Sequence, residues 1–156
     1  PSGKLLTEIK NQYLEQTEWG WPIDPVGFRI TLNHIYDRYH LPIFISENGN
    51  GMTEDRDENG YCADDAHIEY MKAHVEQMHQ ALLDGVDVFG YAWWGPIDLI
   101  SSGTSEMTKR YGQISVDQDD HGKGTGKRGK KKSFFYYKKL IESNGADLST
   151  DNIVEE

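Results

Sequence analysis

A single carboxylate at the end of an apolar run is the first chemistry this sequence offers. Pro42-Ile43-Phe44-Ile45-Ser46 leads into Glu47-Asn48-Gly49. An apolar run of this length suits a parallel strand buried on both faces. Polar groups at the ends of such strands face solvent, where the chemistry of α/β folds gathers. Glu47 is therefore positioned as a catalytic carboxylate would be. The plain alternative is an ordinary Asn-Gly turn with Glu47 as its solvated flank. Trp19 and Trp21, on either side of Gly20, could stack on sugar rings or simply anchor a core. His67, His74 and His79 show neither an i, i+4 pair nor the His-Glu-x-x-His pattern, so no metal is expected. No nucleotide-cofactor motif occurs.

The elements that must position Glu47 follow from periodicity. Asp24-Pro25 starts a helix, with Asp24 as its cap and Phe28, Leu32, Ile35 and Tyr39 predicted inward. Pro42 ends it and opens the strand. Residues 49–63 read as a loop, a rim or lid beside Glu47. Asp64 or Asp65 caps the next helix, whose stripe is Ile68, Met71, Val75, Met78 and Leu82. Asp84-Gly85 ends that helix, and residues 86–94 form a second strand. Strand, helix, strand in this order predicts a parallel α/β sheet. A polar strand-end loop runs from Trp94 through Asp98 to Ser101 and Ser102, with Lys109 and Tyr111 beyond. Residues 111–116 suit a short extended segment, 118–129 a mobile loop, and the Lys127–Lys132 run a solvated face. Ser133 is predicted to cap a last helix with Phe134, Tyr137, Leu140 and Ile141 inward and Gly145 as its stop. Residues 1–18 carry a weak helical tendency, and residues 147–156 an acidic tail expected to fray.

Composition narrows the class. A chain of 156 residues suits one domain, and 37% hydrophobic content is enough for a packed core. The net charge of −10 repels phosphate backbones, so nucleic acid is not an expected partner. No run approaches the roughly 20 apolar residues of a membrane span. Cys62 is the only cysteine, which removes a disulfide framework and fits a cytoplasmic setting. The chain opens on Pro1 and reads as a piece of something longer.

The ordered motifs resemble glycoside hydrolase family 1, and within it the C-terminal third of the bacterial 6-phospho-β-glucosidases. Ile45-Ser46-Glu47-Asn48-Gly49 is similar to the family's nucleophile motif. Asp84-Gly85-Val86 and Gly90-Tyr91 resemble the entry to the following strand, and Trp94 with Asp98 the Trp-x-x-x-Asp segment at its end. Lys109-Arg110-Tyr111-Gly112 and Lys132-Ser133-Phe134 with Tyr137 resemble the closing segments. The resemblance spans nearly the whole chain, and context of this kind gives a motif its weight. It implies an α/β fold, the C-terminal part of a TIM (β/α)₈ barrel. This chain would supply strands seven and eight with their flanking helices, as one piece over residues 1–156 without separate domains. It further implies a retaining glycosidase with Glu47 as nucleophile. The family's acid/base glutamate belongs to an Asn-Glu motif after strand four. No Asn-Glu dipeptide occurs here, so the chain alone is expected to be inactive.

Substrate choice, on the same resemblance, rests on the loop after Asp98. Members acting on free sugars continue Asp-Asn-Phe-Glu-Trp, whose glutamate grips sugar hydroxyls. This chain reads Asp98-Leu99-Ile100-Ser101-Ser102. A carboxylate would repel a phosphate dianion, whereas a serine hydroxyl donates a hydrogen bond without adding charge. Ser101, Lys109 and Tyr111 resemble the family's phosphate clamp, with Trp94 packing under the sugar. Counting back from Lys109 selects Ser102 instead. Counting forward from Asp98 selects Ser101, which is preferred. Serine at 102, where 6-phosphogalactosidases often carry tryptophan, favours a phosphorylated β-glucoside as partner. The alternatives are an ordinary β-glucosidase, a 6-phospho-β-galactosidase, or a non-catalytic carbohydrate-binding or assembly domain. His67 departs from the family pattern, in which arginine is common. Two strands cannot close a barrel, so self-association through unpaired sheet edges is expected.

Overall fold

Asp24 begins the first helix as its residue type demands. In the computed structural model, which describes residues 10–151 and 153, its Oδ1 accepts the Gly27 N–H at 2.8 Å. Helix α1 then runs over Pro25–Tyr39, with Pro25 in the first turn. Strand β1 lies at Ile43–Asn48, helix α2 at Asp65–Leu83 and strand β2 at Val88–Trp93. A short strand β3 (Ile114–Val116), a strand β4 (Arg128–Lys130) and helix α3 (Lys132–Glu142) complete the order. β1 and β2 pair in parallel, Ile45 opposite Tyr91 and Asn48 opposite Trp93, as a strand–helix–strand unit requires. β3 and β4 form a separate antiparallel pair.

Helix α2 is the central layer. Its residues Ile68, Met71 and Val75 pack with Trp93 of β2 and with Tyr136 and Leu140 of α3. Its Ala81 joins a second cluster with Leu32, Ile45 and Val86. Full burial of a side chain such as Met71 contributes about 1.5–3 kcal/mol, so this stripe dominates the cohesion of the chain. The helix stops where the turn needs a left-handed residue. Gly85 has φ +99°, its N–H bonds Leu82 O at 3.0 Å and the Val86 N–H bonds Ala81 O at 3.0 Å.

Several sequence expectations are corrected. β1 is not buried on both faces: Ile45 is buried, but Phe44 is 50% exposed, because β2 and one helical layer are all that covers this strand. The inward face of α1 is Phe28, Leu32 and Tyr36, one i, i+4 row, while Ile35 and Tyr39 are exposed. In α2 the stripe drifts from Leu82 to Ala81, as 3.6 residues per turn requires. Phe135 and Tyr136 replace Ile141 in the core face of α3, and Asn144, at φ 50°, takes the left-handed position before Gly145. Residues 118–129, expected as a mobile loop, carry hydrogen bonds of their own. Asp117 accepts from Thr125, Asp119 from His121 and Lys123, and Asp120 from Met107 and Thr108. The expected fray is corrected for the described part of the acidic tail: Tyr136 Oη donates to Leu148 O, and Leu148 and Ile153 pack on the core. Residues 10–18 form turns and a bridge at Gln16, not a helix; the rest of that helical expectation lies outside the described residues.

Candidate active site

Glu47 stands at the C-terminal end of β1, exposed, and among the described residues no hydrogen bond or ion pair reaches its carboxylate. The adjoining turn is tightly held. Tyr91 Oη donates to Asn48 Oδ1 at 2.9 Å, and the Trp94 N–H donates to Asn48 O at 2.9 Å. The turn that follows Glu47 is thus fixed, while the carboxylate itself faces solvent. Trp94 is partly exposed beside this turn, at the end of β2. Asn50 is buried, its carbonyl 3.2 Å from His67 Nε2. Its side-chain amide has no partner among the described residues, and such a group costs about 1–3 kcal/mol.

Beyond Asn50 the loop joins the segment after β2. Met52 and Arg110 exchange both backbone hydrogen bonds, at 2.9 and 3.0 Å. This bridge sets Gly51 against Lys109 and Tyr111. Ser101 is buried with its Oγ 3.1 Å from Tyr111 Oη, while Ser102 is exposed. A tight turn explains the difference, since Ser101 N–H donates to Glu106 O and Ser101 O accepts from the Ser105 N–H. Lys109 is only 2% exposed, its ammonium over the rings of Trp21 at 4.2 Å, Trp19 at 5.3 Å and Tyr111 at 5.7 Å. The structure therefore gathers Ser101, Lys109 and Tyr111, sets Trp94 beside Glu47, and leaves Ser102 apart.

Under this surface lies a buried chain of charges. Asp98 accepts from Lys131 Nζ at 2.8 Å, Arg110 Nη1 at 3.3 Å and the Gly112 N–H at 3.0 Å. Lys131 also meets Glu54 at 2.5 Å, and His67 Nδ1 lies 3.2 Å from Glu54 and 3.5 Å from Asp64. Those last distances are ion-pair contacts rather than well-aligned hydrogen bonds. Burial opposes a charge on His67, but Asp64 and Glu54 outweigh it and push its pKa up to about 9. Burial likewise opposes a charged Glu54, yet His67 and Lys131 hold its carboxyl below the ordinary value. The two carboxylates thus favour the protonated form of His67, the residue that departs from the arginine common in the family pattern.

This network revises further expectations. Lys131 is wholly buried rather than part of a solvated run, because two carboxylates neutralise it. Ser133 lies inside α3, one position past the first helical residue. Asp64 precedes α2 but makes no side-chain cap there. It accepts the Ser133 N–H at 2.8 Å and the Ser133 hydroxyl at 2.5 Å, capping α3 instead. Glu54, Asp64 and His67 bring three possible ligand atoms within 4.8 Å of one another. Lys131 already supplies Glu54 with its cation. Cys62 is buried, and burial together with Glu54 and Asp64 pushes its thiol pKa up, away from nucleophilic chemistry. Sequence reading missed Glu54, Lys131 and Gly51, whose partners are distant in sequence; the bridge of Met52 to Arg110 left no local signal.

Glu47 at the end of one parallel strand and Trp94 at the end of its neighbour fit the strand-end site of a parallel α/β barrel. The chain belongs to glycosyl hydrolase family 1, whose model matches residues 2–146. β1 and β2 with their helices are the seventh and eighth strand units of its (β/α)₈ barrel. Two relatives are the aryl-phospho-β-D-glucosidase BglH of Bacillus subtilis and the 6-phospho-β-glucosidase of Dickeya chrysanthemi. They are 52% and 50% identical to it, over 94% of this chain. The chain spans about a third of their lengths, 31% and 32%. It is also similar to the family 1 β-glucosidase from Thermotoga maritima in complex with isofagomine lactam. That likeness has 30% identity and a TM-score of 0.79 over 90% of this chain and 31% of that one.

Proposed function

We propose that this chain is the C-terminal part of a retaining 6-phospho-β-glucosidase, one piece over residues 1–156 without separate domains. Glu47 attacks the anomeric carbon as a carboxylate. The bond to the aglycone oxygen breaks as an acid from the rest of the barrel protonates that oxygen. Water, deprotonated by the same group, then displaces Glu47 and releases glucose 6-phosphate. Ser101, Lys109 and Tyr111 bind the 6-phosphate, and Trp94 packs under the sugar ring; Ser102 lies at the rim.

The observation that carries this reading is the pairing of Ser101 with Tyr111 beside a buried Lys109, reached from the Glu47 turn through Gly51. A hydroxyl, a phenol and an ammonium that pairs with no carboxylate among the described residues suit a phosphate dianion. The activities for which the relatives are named, aryl-phospho-β-D-glucosidase and 6-phospho-β-glucosidase, point the same way. No helix among the described residues is long and apolar enough to cross a membrane. A phosphorylated sugar made inside the cell would set the enzyme in the cytoplasm, without nucleic-acid or membrane partners. Trapping the full-length enzyme with a 2-fluoro 6-phospho-β-glucoside and mapping the adduct by mass spectrometry tests the proposal. The label is expected on Glu47; a label on any other residue overturns the mechanism.

A further inference from the structure

We propose that Gly51 and Trp21 are positioning residues of the phosphate clamp: they fix where the Lys109 ammonium stands and so set the preference for a 6-phosphorylated sugar. The inference rests on the clamp assigned under the proposed function and adds what holds it. Lys109 is buried, yet no carboxylate pairs with it among the described residues. Its ammonium is surrounded by ring faces instead, Trp21 being nearest at 4.2 Å. Ring faces attract a cation without neutralising it, so the charge stays available to an incoming anion. A carboxylate in the same place would have cancelled it.

Both sides of this sheath are themselves anchored. The Thr17 N–H donates to Trp21 O at 2.9 Å, and Gln16 bridges Pro22, which pins the backbone that carries the indole. Trp19 Nε1 donates to Glu106 at 2.8 Å, in the turn that also holds Ser101. Gly51 lies against the lysine stem. A Cβ there would stand 2.5 Å from Lys109 Cγ, 2.8 Å from its Cε and 3.0 Å from Tyr111 Cε1. The Met52–Arg110 bridge prevents the loop from backing away. Even a methyl group at position 51 must therefore move the stem that carries the ammonium and press on the Tyr111 ring, although it removes no clamp atom.

The test compares kcat/KM for an aryl 6-phospho-β-glucoside with that for the free aryl β-glucoside in the full-length enzyme. Gly51→Ala and Trp21→Leu are each expected to lower that ratio by about tenfold, carried by KM for the phosphorylated substrate. Trp21→Phe, which keeps a ring face, is expected to restore most of it. Lys109→Met serves as the control. If Lys109→Met collapses the ratio while Gly51→Ala and Trp21→Leu leave it intact, the positioning role is overturned and the clamp survives. If Lys109→Met leaves the ratio unchanged, the clamp falls and this inference with it. Equal losses on both substrates, or no advantage of Phe over Leu at position 21, also overturn it. Trp21 is 47% exposed, so its variants read the effect even where Gly51→Ala fails to fold.

Discussion

At Ser101 the hydroxyl meets Tyr111 Oη inside the fold, and at Ser102 the same chemistry faces solvent. It was the family resemblance that joined a hydroxyl, an ammonium and a phenol into one set. Counting forward from Asp98 preferred Ser101 to Ser102, and the turn between Ser101 and Glu106 is what buries the one and exposes the other. Replacing Ser101 by Ala is therefore expected to raise KM for a phosphorylated glucoside by about tenfold, and Ser102→Ala to have the smaller effect. Steady-state kinetics of the two full-length variants checks this; a larger effect at Ser102 would reverse the assignment. Glu47 was legible for a different reason. The apolar run before it marks Glu47 as a strand-end carboxylate and the family resemblance implies the nucleophile's place for it, whereas Glu54, further along the loop, carries no such mark and is defined only by Lys131 and His67.

Among the elements, α2 joins the two halves of the site through its first turn. His67 keeps its proton because Glu54 and Asp64 face it in a dry interior. A pKa raised from an ordinary 6.5 to about 9 means that the folded state holds the proton more tightly than the unfolded chain. That contribution is complete below about pH 6.5 and disappears as pH rises through 9, on the order of 3 kcal/mol in all. Urea unfolding of the full-length enzyme between about pH 6 and 10 is expected to show the decline, and a His67→Gln variant to lack it. Equal slopes for the two proteins would show that the histidine is not the titrating group. The helices and both parallel strands were readable from periodicity, since local pattern decides them. The helix caps were read less well: Asp64 has the right residue type at the right position and serves a different helix.

For the whole molecule, the informative feature is what remains uncovered. Phe44 and Phe89 meet at 5.6 Å in a tilted pair on a two-stranded parallel sheet, 50% and 68% exposed, and among the described residues each strand has a free edge. In a closed barrel such side chains meet those of other strands. The isolated 156-residue chain is accordingly expected to self-associate and to turn over no aryl 6-phospho-β-glucoside. Light scattering reads the first outcome, with a sharp monomer counting against it, and a sensitive chromogenic assay reads the second. The bond between Asp64 and Ser133 also orders events in time. A ribosome makes Asp64 sixty-nine residues before Ser133, so the acceptor for the first turn of α3 already exists when that turn emerges. Helix α3 thus starts against a partner made well before it, and a chain stopped short of Ser133 leaves Asp64 without that donor.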